Sequence, residues 1–277
     1  MLVHGAWYGG WCWRDIAVRL HAMGHHRVFT PCMTGLGSRS HLMSAQVGLN
    51  THIDDVCNVI ETEELQDVTL VGHSYGGMVV TGVADRLADR ISNLVFLDAY
   101  TPASGQSAMQ IRSAKQSASD QAVALDVGEG EGATIAPPSA EHHGLHGDTL
   151  AWANRHLKPM PLACFTDPIS LTGQWQGVAN KVYIRASQFP AFYFDRYHDK
   201  WRSTKGWTVS SHDVHHNHMM MDPCASPVNN RGRGSKNNTE ATAPRHCKFC
   251  ICCKVQKSQS ATRPERLPVA IKDRIGL

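Results

Sequence analysis

Two segments near the start of the chain repeat their apolar residues with the period of one helix face. The first spans about Trp11 to Ala22, and its apolar stripe consists of Trp13, Ile16, Ala17 and Leu20. The second begins at Thr51, which predicts an N-cap because an acidic residue follows three positions later. Its stripe consists of Ile53, Val56, Cys57 and Ile60. Both segments are therefore predicted to be amphipathic helices.

Short apolar runs lie between and after these helices. They predict buried strands at Met1–Val3, Arg27–Pro31, Asp67–Val71, Ile91–Leu97, Lys181–Arg185 and from Trp207 onwards. Strands that alternate with helices in this order predict an α/β fold, with a mostly parallel sheet and helices on both faces. Ligands of such sheets bind at the carboxyl ends of the strands, so a site is expected in the loops that follow them.

The alternation of strands and helices is lost between about residues 103 and 175. This segment holds a Gly-Glu run at Gly128–Gly132, two adjacent prolines at 137–138 and one short predicted helix from Asp148 to Leu157. A long insertion between two strands is expected to cover the site as a cap. We therefore predict one domain over residues 1–223 that includes this cap insertion.

The pentapeptide Gly72-His73-Ser74-Tyr75-Gly76 lies between two apolar runs. A predicted strand precedes it, and a predicted helix from Tyr75 to Leu87 follows it. Glycines on both sides of Ser74 permit a very tight turn, because the two backbones pass too closely for a Cβ atom. Such a turn pushes the serine hydroxyl out of the sheet as a nucleophile elbow. The alternative is a surface serine in a glycine-rich turn.

A serine hydroxyl becomes a good nucleophile only when a base removes its proton and an acid orients that base. The base is expected in the loop after the last strand, where His215, His216 and His218 are candidates. His212 falls too early, within the strand itself. His73, beside the nucleophile, is expected to be structural.

Two aspartates are candidates for the acid. No carboxylate follows directly after the strand Lys181–Arg185, although Asp195 lies further along. Asp98 ends the preceding strand, and a carboxylate at that place can reach the same histidine. We favour Asp98 and keep Asp195 as the alternative acid. Asp98 also suits a turn before Ala-Tyr-Thr-Pro, which is the structural interpretation of the same residue.

The tetrahedral intermediate of ester cleavage requires two backbone N–H donors. One is expected from Tyr75, the residue after the nucleophile, and the other from Ala6 or Trp7 in the loop after the first strand. Three aromatic residues, Trp7, Trp11 and Phe192, are expected to form an apolar pocket wall, with a place in the core as the alternative.

Several separate motifs resemble one known group of enzymes, the bacterial esterase-like α/β-hydrolases. This group is related to plant hydroxynitrile lyases and methyl-salicylate-type esterases. The motifs agree with it in order and spacing, and they are Leu2–Trp7, Gly9–Trp13, Thr34–Leu42, Val71–Met78, Leu97–Tyr100 and Lys181–Arg185. The resemblance covers about residues 1–223 and implies an α/β-hydrolase fold.

The resemblance also implies roles for individual residues. The family pattern around the base is similar to His-Asn-x-Met-x-x-Asp-Pro, which His216 to Pro223 matches nine residues after Trp207. It therefore implies His216 as the base. Members of this branch often carry the acid at the position of Asp98. Hydroxynitrile lyases have a different elbow, so the resemblance makes lyase chemistry less expected.

The chain departs from the family pattern at both ends. Its first strand is short, and the amphipathic helix expected after Pro223 is replaced by a basic tail over residues 224–277. This tail carries 11 of the 27 Lys and Arg residues, 3 of the 24 Asp and Glu residues, and 5 of the 9 cysteines. Because it lacks a helical stripe, we expect it to be disordered or foreign to the fold.

The cysteine cluster at His246–Cys253 contains one Cys-x-x-Cys pair. A zinc site requires a second pair of ligands, so no metal is predicted. The tail lacks the interleaved aromatic residues of a nucleic-acid-binding arm, so nucleic acid is not an expected partner. The chain shows no apolar run of membrane-spanning length and no signal-like N-terminus. A cytoplasmic protein with reduced cysteines is therefore expected.

These observations predict a cofactor-free serine hydrolase that cleaves small carboxylic esters through an acyl-enzyme. The alternatives are a non-catalytic ligand-binding protein of the same fold and a hydroxynitrile-lyase-like enzyme that cleaves C–C bonds. The patterns in the chain do not define the acyl group, the alcohol group or the oligomeric state.

Overall fold

A five-stranded parallel sheet forms the centre of the protein. The structure, a computed structural model, describes residues 1–25, 27–114 and 133–221. The strands of this part are β1 (Leu2–Val3), β2 (Val68–His73), β3 (Ile91–Leu97), β4 (Thr134–Ile135), β5 (Met160–Pro161), β6 (Asn180–Ala186) and β7 (Trp207–His212). The main sheet has the order β1-β2-β3-β6-β7 with every neighbouring pair parallel, while β4 and β5 form a small antiparallel pair. The predicted α/β class is confirmed.

Helices connect the strands and cover both faces of the sheet. They are α1 (Arg14–Ala22), α2 (Leu49–Thr62), α3 (Gly76–Arg86), α4 (Ala108–Ser113), α5 (Gly147–His156), α6 (Ala163–Thr166) and α7 (Phe192–Arg202). The helix predicted from Trp11 to Ala22 is present, but its first turn is a 3-10 helix at Gly10–Trp13. The helix predicted from Asp148 to Leu157 corresponds to α5.

Successive strand residues point to opposite faces, as the two-residue period of a strand requires. Leu70 of β2 and Phe96 of β3 face the core that contains the buried stripe of α2. Their neighbours Val71 and Val95 face a second core, which contains the buried side of α1. The sheet is therefore buried on both sides, which explains why its strands are apolar runs and not alternating patterns.

Two local predictions are wrong. Arg27–Pro31 forms no strand, although the Leu2 N–H donates one hydrogen bond of 2.8 Å to the Phe29 carbonyl. Thr51 is not the N-cap of α2, because the helix begins two residues earlier and Gly48 is the N-cap. The Leu49 N–H donates to the Asp167 carboxylate at 3.2 Å, so a residue distant in sequence satisfies this helix end.

The segment between β3 and β6 is tied to the main fold at Asp85 of α3. This buried carboxylate accepts hydrogen bonds from the N–H groups of Thr172, Gly173 and Trp175 and from the Thr172 hydroxyl, at 2.6–3.2 Å. Burial by itself raises the pKa of Asp85, but the hydrogen bonds outweigh it and hold the pKa below its usual range. Asp85 is therefore the ionised anchor of the chain that returns to β6.

We expect the substitution Asp85→Asn to lower the free energy of unfolding by about 1–3 kcal/mol at pH 7, because charge-assisted hydrogen bonds are lost. Urea unfolding measures this change, and Asp89→Asn at an exposed position of the same region is the control. A carboxylate with a lowered folded pKa stabilises at neutral pH, and this contribution is lost as the pH falls into the acid range. The difference between the two proteins should therefore shrink on acidification. Equal stability at pH 7 would contradict the anchoring role.

Some predictions fall outside the described residues. They include the Gly-Glu run at 128–132, the basic tail, its cysteine cluster and the predicted domain end at residue 223. In the part that the structure describes, no helix is both long and apolar enough to cross a bilayer.

Candidate active site

Three loops at the carboxyl ends of neighbouring strands carry unusual backbone conformations. Trp7 follows β1, Ser74 follows β2 and Asp98 follows β3, and their φ angles are 67°, 54° and 44°. Non-glycine residues rarely adopt positive φ, and such strained conformations concentrate at functional sites. The three residues that we predicted from motifs are therefore among the five described non-glycine residues with positive φ, the other two being Glu64 and Asp67 before β2.

Ser74 lies at the sharp turn between β2 and α3. Its N–H donates to the Leu97 carbonyl at 3.3 Å, and its own carbonyl accepts from the N–H groups of Gly77 and Tyr100 at 3.0 and 3.2 Å. A Cβ atom on Gly76 would lie 2.7 Å from the His4 carbonyl oxygen, so a glycine is required there. The tight turn expected from the pentapeptide is present, and Ser74 lines a cavity of about 150 Å³.

The predicted base and acid are in direct contact. His216 Nδ1 donates to Asp98 Oδ2 at 2.6 Å, and both side chains are buried. His216 lines the same cavity as Ser74, and the ring of Phe189 stacks on its imidazole at a centroid distance of 4.3 Å. Burial, followed by the nearby Arg185, holds the pKa of His216 well below its usual range. The imidazole is therefore neutral near pH 7, as a general base must be.

Arg185 is a buried cation at the site that we did not predict. It lies near the end of β6 with its side chain only 3% exposed, and its Nη1 donates to Asp98 Oδ1 at 2.8 Å. Asp98 Oδ1 also accepts from the Ala186 N–H at 3.1 Å. Burial raises the pKa of Asp98 to about 6, against the opposing effect of Arg185. Asp195, the alternative acid, binds Arg185 Nε at 2.7 Å through a carboxylate that is 58% exposed.

The other candidate histidines lie around the pair. His212 is the last residue of β7, as expected, and His215 is exposed in the loop that follows. His218 is buried, and its Nδ1 donates to the His215 carbonyl at 3.2 Å. His73 Nε2 donates to the His216 carbonyl at 3.1 Å, and the two rings lie 4.4 Å apart. The residue before the nucleophile therefore holds the backbone of His216 in place.

The predicted oxyanion residues lie beside Ser74. Ala6 and Trp7 in the loop after β1, and Tyr75 at the start of α3, line the same cavity. A Cβ atom on Gly5 would lie 3.0 Å from the Ser74 Cβ, so this loop packs closely against the elbow. The Tyr75 hydroxyl points away to His52, to whose Nδ1 it donates at 3.1 Å because Nε2 of that ring donates to the Thr34 carbonyl.

The cavity wall is mainly aromatic, but only one of the three predicted aromatics belongs to it. Trp7 lines the cavity, whereas Trp11 lines a separate depression against Trp152 and Phe192 packs on Tyr193 outside the wall. The wall consists of Ala6, Trp7, Ser74, Tyr75, Tyr100, Arg112, Ala136, Pro137, Pro138, His142, His143, Phe165, Phe189, Tyr193, Phe194 and His216. Much of this wall comes from the segment between β3 and β6. The sequence patterns did not predict where this segment lies relative to the sheet.

One residue of that segment, His143, lies close to the base. Its ring centroid is 5.4 Å from that of His216, and its carbonyl accepts from the Asn217 N–H at 3.2 Å. Its Nδ1 lies 3.4 Å from the Tyr8 hydroxyl, which also accepts from the Asn217 side-chain amide. Through these contacts, the segment between β3 and β6, the loop after β1 and the loop after β7 that carries His216 meet at one point. No pattern in the chain distinguished His143 from the other histidines.

Comparison with known proteins identifies the group to which this site belongs. The profile of the Alpha/beta hydrolase family matches residues 1–229. A carbendazim hydrolyzing esterase from Nocardioides sp. is 44% identical over 234 residues, which cover 80% of this chain and 94% of that protein. Methylesterase 10 of Arabidopsis thaliana is 32% identical over 103 residues, 37% of each chain.

Solved structures share the fold at low sequence identity. An extracellular alpha/beta-hydrolase from a Paenibacillus species superposes with a TM-score of 0.61 at 21% identity, over 80% of this chain and 93% of that one. Tomato methylketone synthase I superposes with a TM-score of 0.65 at 19% identity, over 80% and 92% of the two chains. These matches show the fold, and the family profile and the esterase relative lead to one conclusion. The chain belongs to the alpha/beta hydrolase family, and within it to the ester hydrolases.

Proposed function

We propose that Ser74, His216 and Asp98 form the catalytic triad of this ester hydrolase. The observation that supports it most is the 2.6 Å hydrogen bond from His216 Nδ1 to Asp98, made at the wall of the cavity that Ser74 also lines. With Nδ1 protonated, the Nε2 lone pair of His216 is available for the serine proton. Asp98 orients the ring and stabilises the imidazolium that forms.

The proposed reaction proceeds through an acyl-enzyme. Ser74 Oγ attacks the ester carbonyl carbon while its proton passes to His216 Nε2. The N–H groups of Tyr75 and of Ala6 or Trp7 hold the oxyanion, and the alcohol leaves with the proton from His216. Water then attacks the acyl group, His216 takes a proton from that water, and the acid is released as Ser74 Oγ is reprotonated.

The proposed substrate is a small ester with a flat, apolar acyl part. The cavity of about 150 Å³ has room for a small group, and rings of Trp7, Phe165, Phe189 and Phe194 supply apolar faces to it. The relative that is 44% identical acts on carbendazim, which makes this compound a rational test substrate together with simple methyl esters.

Reaction with an alkyl fluorophosphonate tests the nucleophile directly. Attack by Ser74 Oγ on phosphorus expels fluoride, so we expect one phosphonyl adduct on the peptide that contains Ser74 and loss of p-nitrophenyl acetate turnover in parallel. Mass spectrometry of the digest measures the adduct. The His216→Ala protein is the control and should react far more slowly, because the base is missing.

Other outcomes would identify the alternatives. A folded protein with neither ester turnover nor adduct would indicate a ligand-binding protein of the same fold. Release of cyanide from mandelonitrile, without turnover of p-nitrophenyl acetate, methyl benzoate or carbendazim, would indicate lyase chemistry. Adduct formation at another serine would contradict the assignment of Ser74.

A further inference from the structure

The side chain of Arg185 bridges two aspartates beneath the cavity. Its Nη1 binds Asp98 Oδ1 at 2.8 Å and its Nε binds Asp195 Oδ1 at 2.7 Å. Nη1 also donates to the Ala186 carbonyl, and Nη2 donates to the Phe189 carbonyl at 2.6 Å. Four N–H groups of the guanidinium are therefore used, which gives the side chain one fixed orientation.

Asp98 depends on this cation while the enzyme is at rest. Its carboxylate is fully buried, and burial of an unpaired carboxylate strongly favours the protonated form. In the described residues its ion pairs are with Arg185 and, once that ring is protonated, with His216. His216 is neutral before the reaction begins, so the positive charge that keeps Asp98 ionised at this stage comes mainly from Arg185, with a smaller contribution from His218.

We propose that Arg185 is a positioning residue of the triad, which keeps Asp98 as a carboxylate so that His216 carries its proton on Nδ1. This inference rests on the proposed function. A protonated Asp98 would donate its proton to Nδ1, and the proton of the neutral ring would then lie on Nε2. In that tautomer His216 cannot accept the proton of Ser74. Arg185 thus controls the base through Asp98 without contact with the substrate.

The arrangement also explains how Asp98 can serve as the acid from the end of β3. The chain that follows β6 carries no carboxylate at this place, and the guanidinium of Arg185 binds the carbonyl groups of Ala186 and Phe189 there. Asp195, on α7, lies on the far side of the guanidinium from Asp98 and is mostly exposed. The acid and its counter-ion therefore come from neighbouring strands, β3 and β6, which pair in the sheet.

Other titratable and charged groups face this cluster and could also affect its pH dependence. They come from the elbow, the segment between β3 and β6, α4, β6, α7, β7 and the loop of the base, and are His73, His142, His143, Arg112, Tyr183, Tyr193, His212 and His218. None of them is changed in the variants below, so their effects are common to all the proteins that are compared.

The pH dependence of kcat/KM, measured from pH 5 to 9.5 with p-nitrophenyl acetate, tests the proposal. For Arg185→Met we expect the acid limb to rise by about two pH units, with a loss of about tenfold at pH 7 that is recovered at high pH. Arg185→Lys keeps the positive charge but loses the planar set of N–H donors of the guanidinium, so the acid limb of its pH profile should move by less than about one unit. Asp195→Asn is the matched control, because it removes the other carboxylate on Arg185, and its limb should stay in place.

Two results would overturn the proposal. One is a uniform loss of activity in Arg185→Met with no shift of the acid limb. The other is an Arg185→Lys profile whose acid limb is displaced upward by one unit or more. If Arg185→Met does not fold, as judged by circular dichroism, Arg185→Gln takes its place, because glutamine removes the charge and keeps N–H donors. An upward shift of its acid limb by one unit or more supports the proposal, and a smaller shift contradicts it. Failure of the proposed function is distinguishable, because the wild-type protein would then give no phosphonyl adduct on Ser74.

Discussion

The substitution Ser74→Ala is expected to lower kcat/KM for p-nitrophenyl acetate by about 10⁴-fold or more, because the nucleophile is removed and no acyl-enzyme can form. The turn that carries residue 74 depends on backbone hydrogen bonds to Leu97, Gly77 and Tyr100, which alanine retains. Alanine also accepts the same backbone conformation at a cost similar to that of serine. The variant should therefore fold normally and still bind substrate analogues.

The measurement is steady-state hydrolysis with active-site titration, so that traces of wild-type enzyme are detected. Ser203→Ala is the matched control, because its exposed hydroxyl donates only to the Asp199 carbonyl in the described part of the chain. It should keep activity within about twofold, as is usual for surface substitutions. If Ser74→Ala retained activity within tenfold of the wild type, another nucleophile would have to be sought.

The second large effect is expected for Asp98→Asn, with a loss of about 10³ to 10⁴-fold in kcat. Asparagine has nearly the shape of aspartate, so the contacts with Arg185 and Ala186 can be partly kept through its carbonyl oxygen. Its amide then faces Nδ1 of His216 and donates to it, which places the ring proton on Nε2. The loss would therefore reflect the tautomer of His216 and not a gap in the structure.

The same variant distinguishes the two candidate acids. Asp195→Asn should change kcat by less than about threefold, because Asp195 binds Arg185 and is mostly exposed. A loss that is larger for Asp195→Asn than for Asp98→Asn would assign the acid to Asp195. Parallel thermal melts of both variants separate catalytic effects from unfolding.

The wild-type pH profile should follow the ionisation of the Asp98–His216 pair. Burial raises the pKa of Asp98 to about 6, and a protonated Asp98 cannot orient the base. Activity should therefore be full at pH 7.5 and fall as the pH drops through 6. Because Asp98 and His216 are coupled, the apparent pKa of this fall belongs to the pair and not to either residue alone. In Asp98→Asn the residual activity should lose this acid limb.

The relation between sequence and structure differs from one part of the site to the next. Ser74 could be predicted because Gly72 and Gly76 flank it between a buried strand and a helix, which is a purely local signal. The strands β2, β3 and β6 were predictable for a similar reason, since strands buried on both faces are continuous apolar runs. His216 was chosen from the resemblance, because spacing alone left three histidines open.

Where the sequence interpretation failed, contacts between distant residues were responsible. Gly48 and not Thr51 is the N-cap of α2, and Asp167, more than one hundred residues away in the chain, supplies the acceptor for the Leu49 N–H. Arg27–Pro31 has an apolar pattern, but among the described residues its hydrogen bonding to the very short β1 is the bond from the Leu2 N–H to the Phe29 carbonyl. Phe192 and Trp11 are aromatic as a pocket wall requires, but packing directs both rings elsewhere.

By itself the sequence determined the α/β sheet, the tight turn and the serine at its apex, because hydrophobic period and glycine positions act over a few residues. Only the tertiary structure decided which carboxylate meets His216 and which cation faces that carboxylate. Asp98 and Arg185 are 87 residues apart, and their contact exists because β3 and β6 pair in parallel and end at the same edge of the sheet. A buried arginine inside an apolar run gives no local signal of its role, because that role depends on a buried carboxylate that lies far away in the sequence.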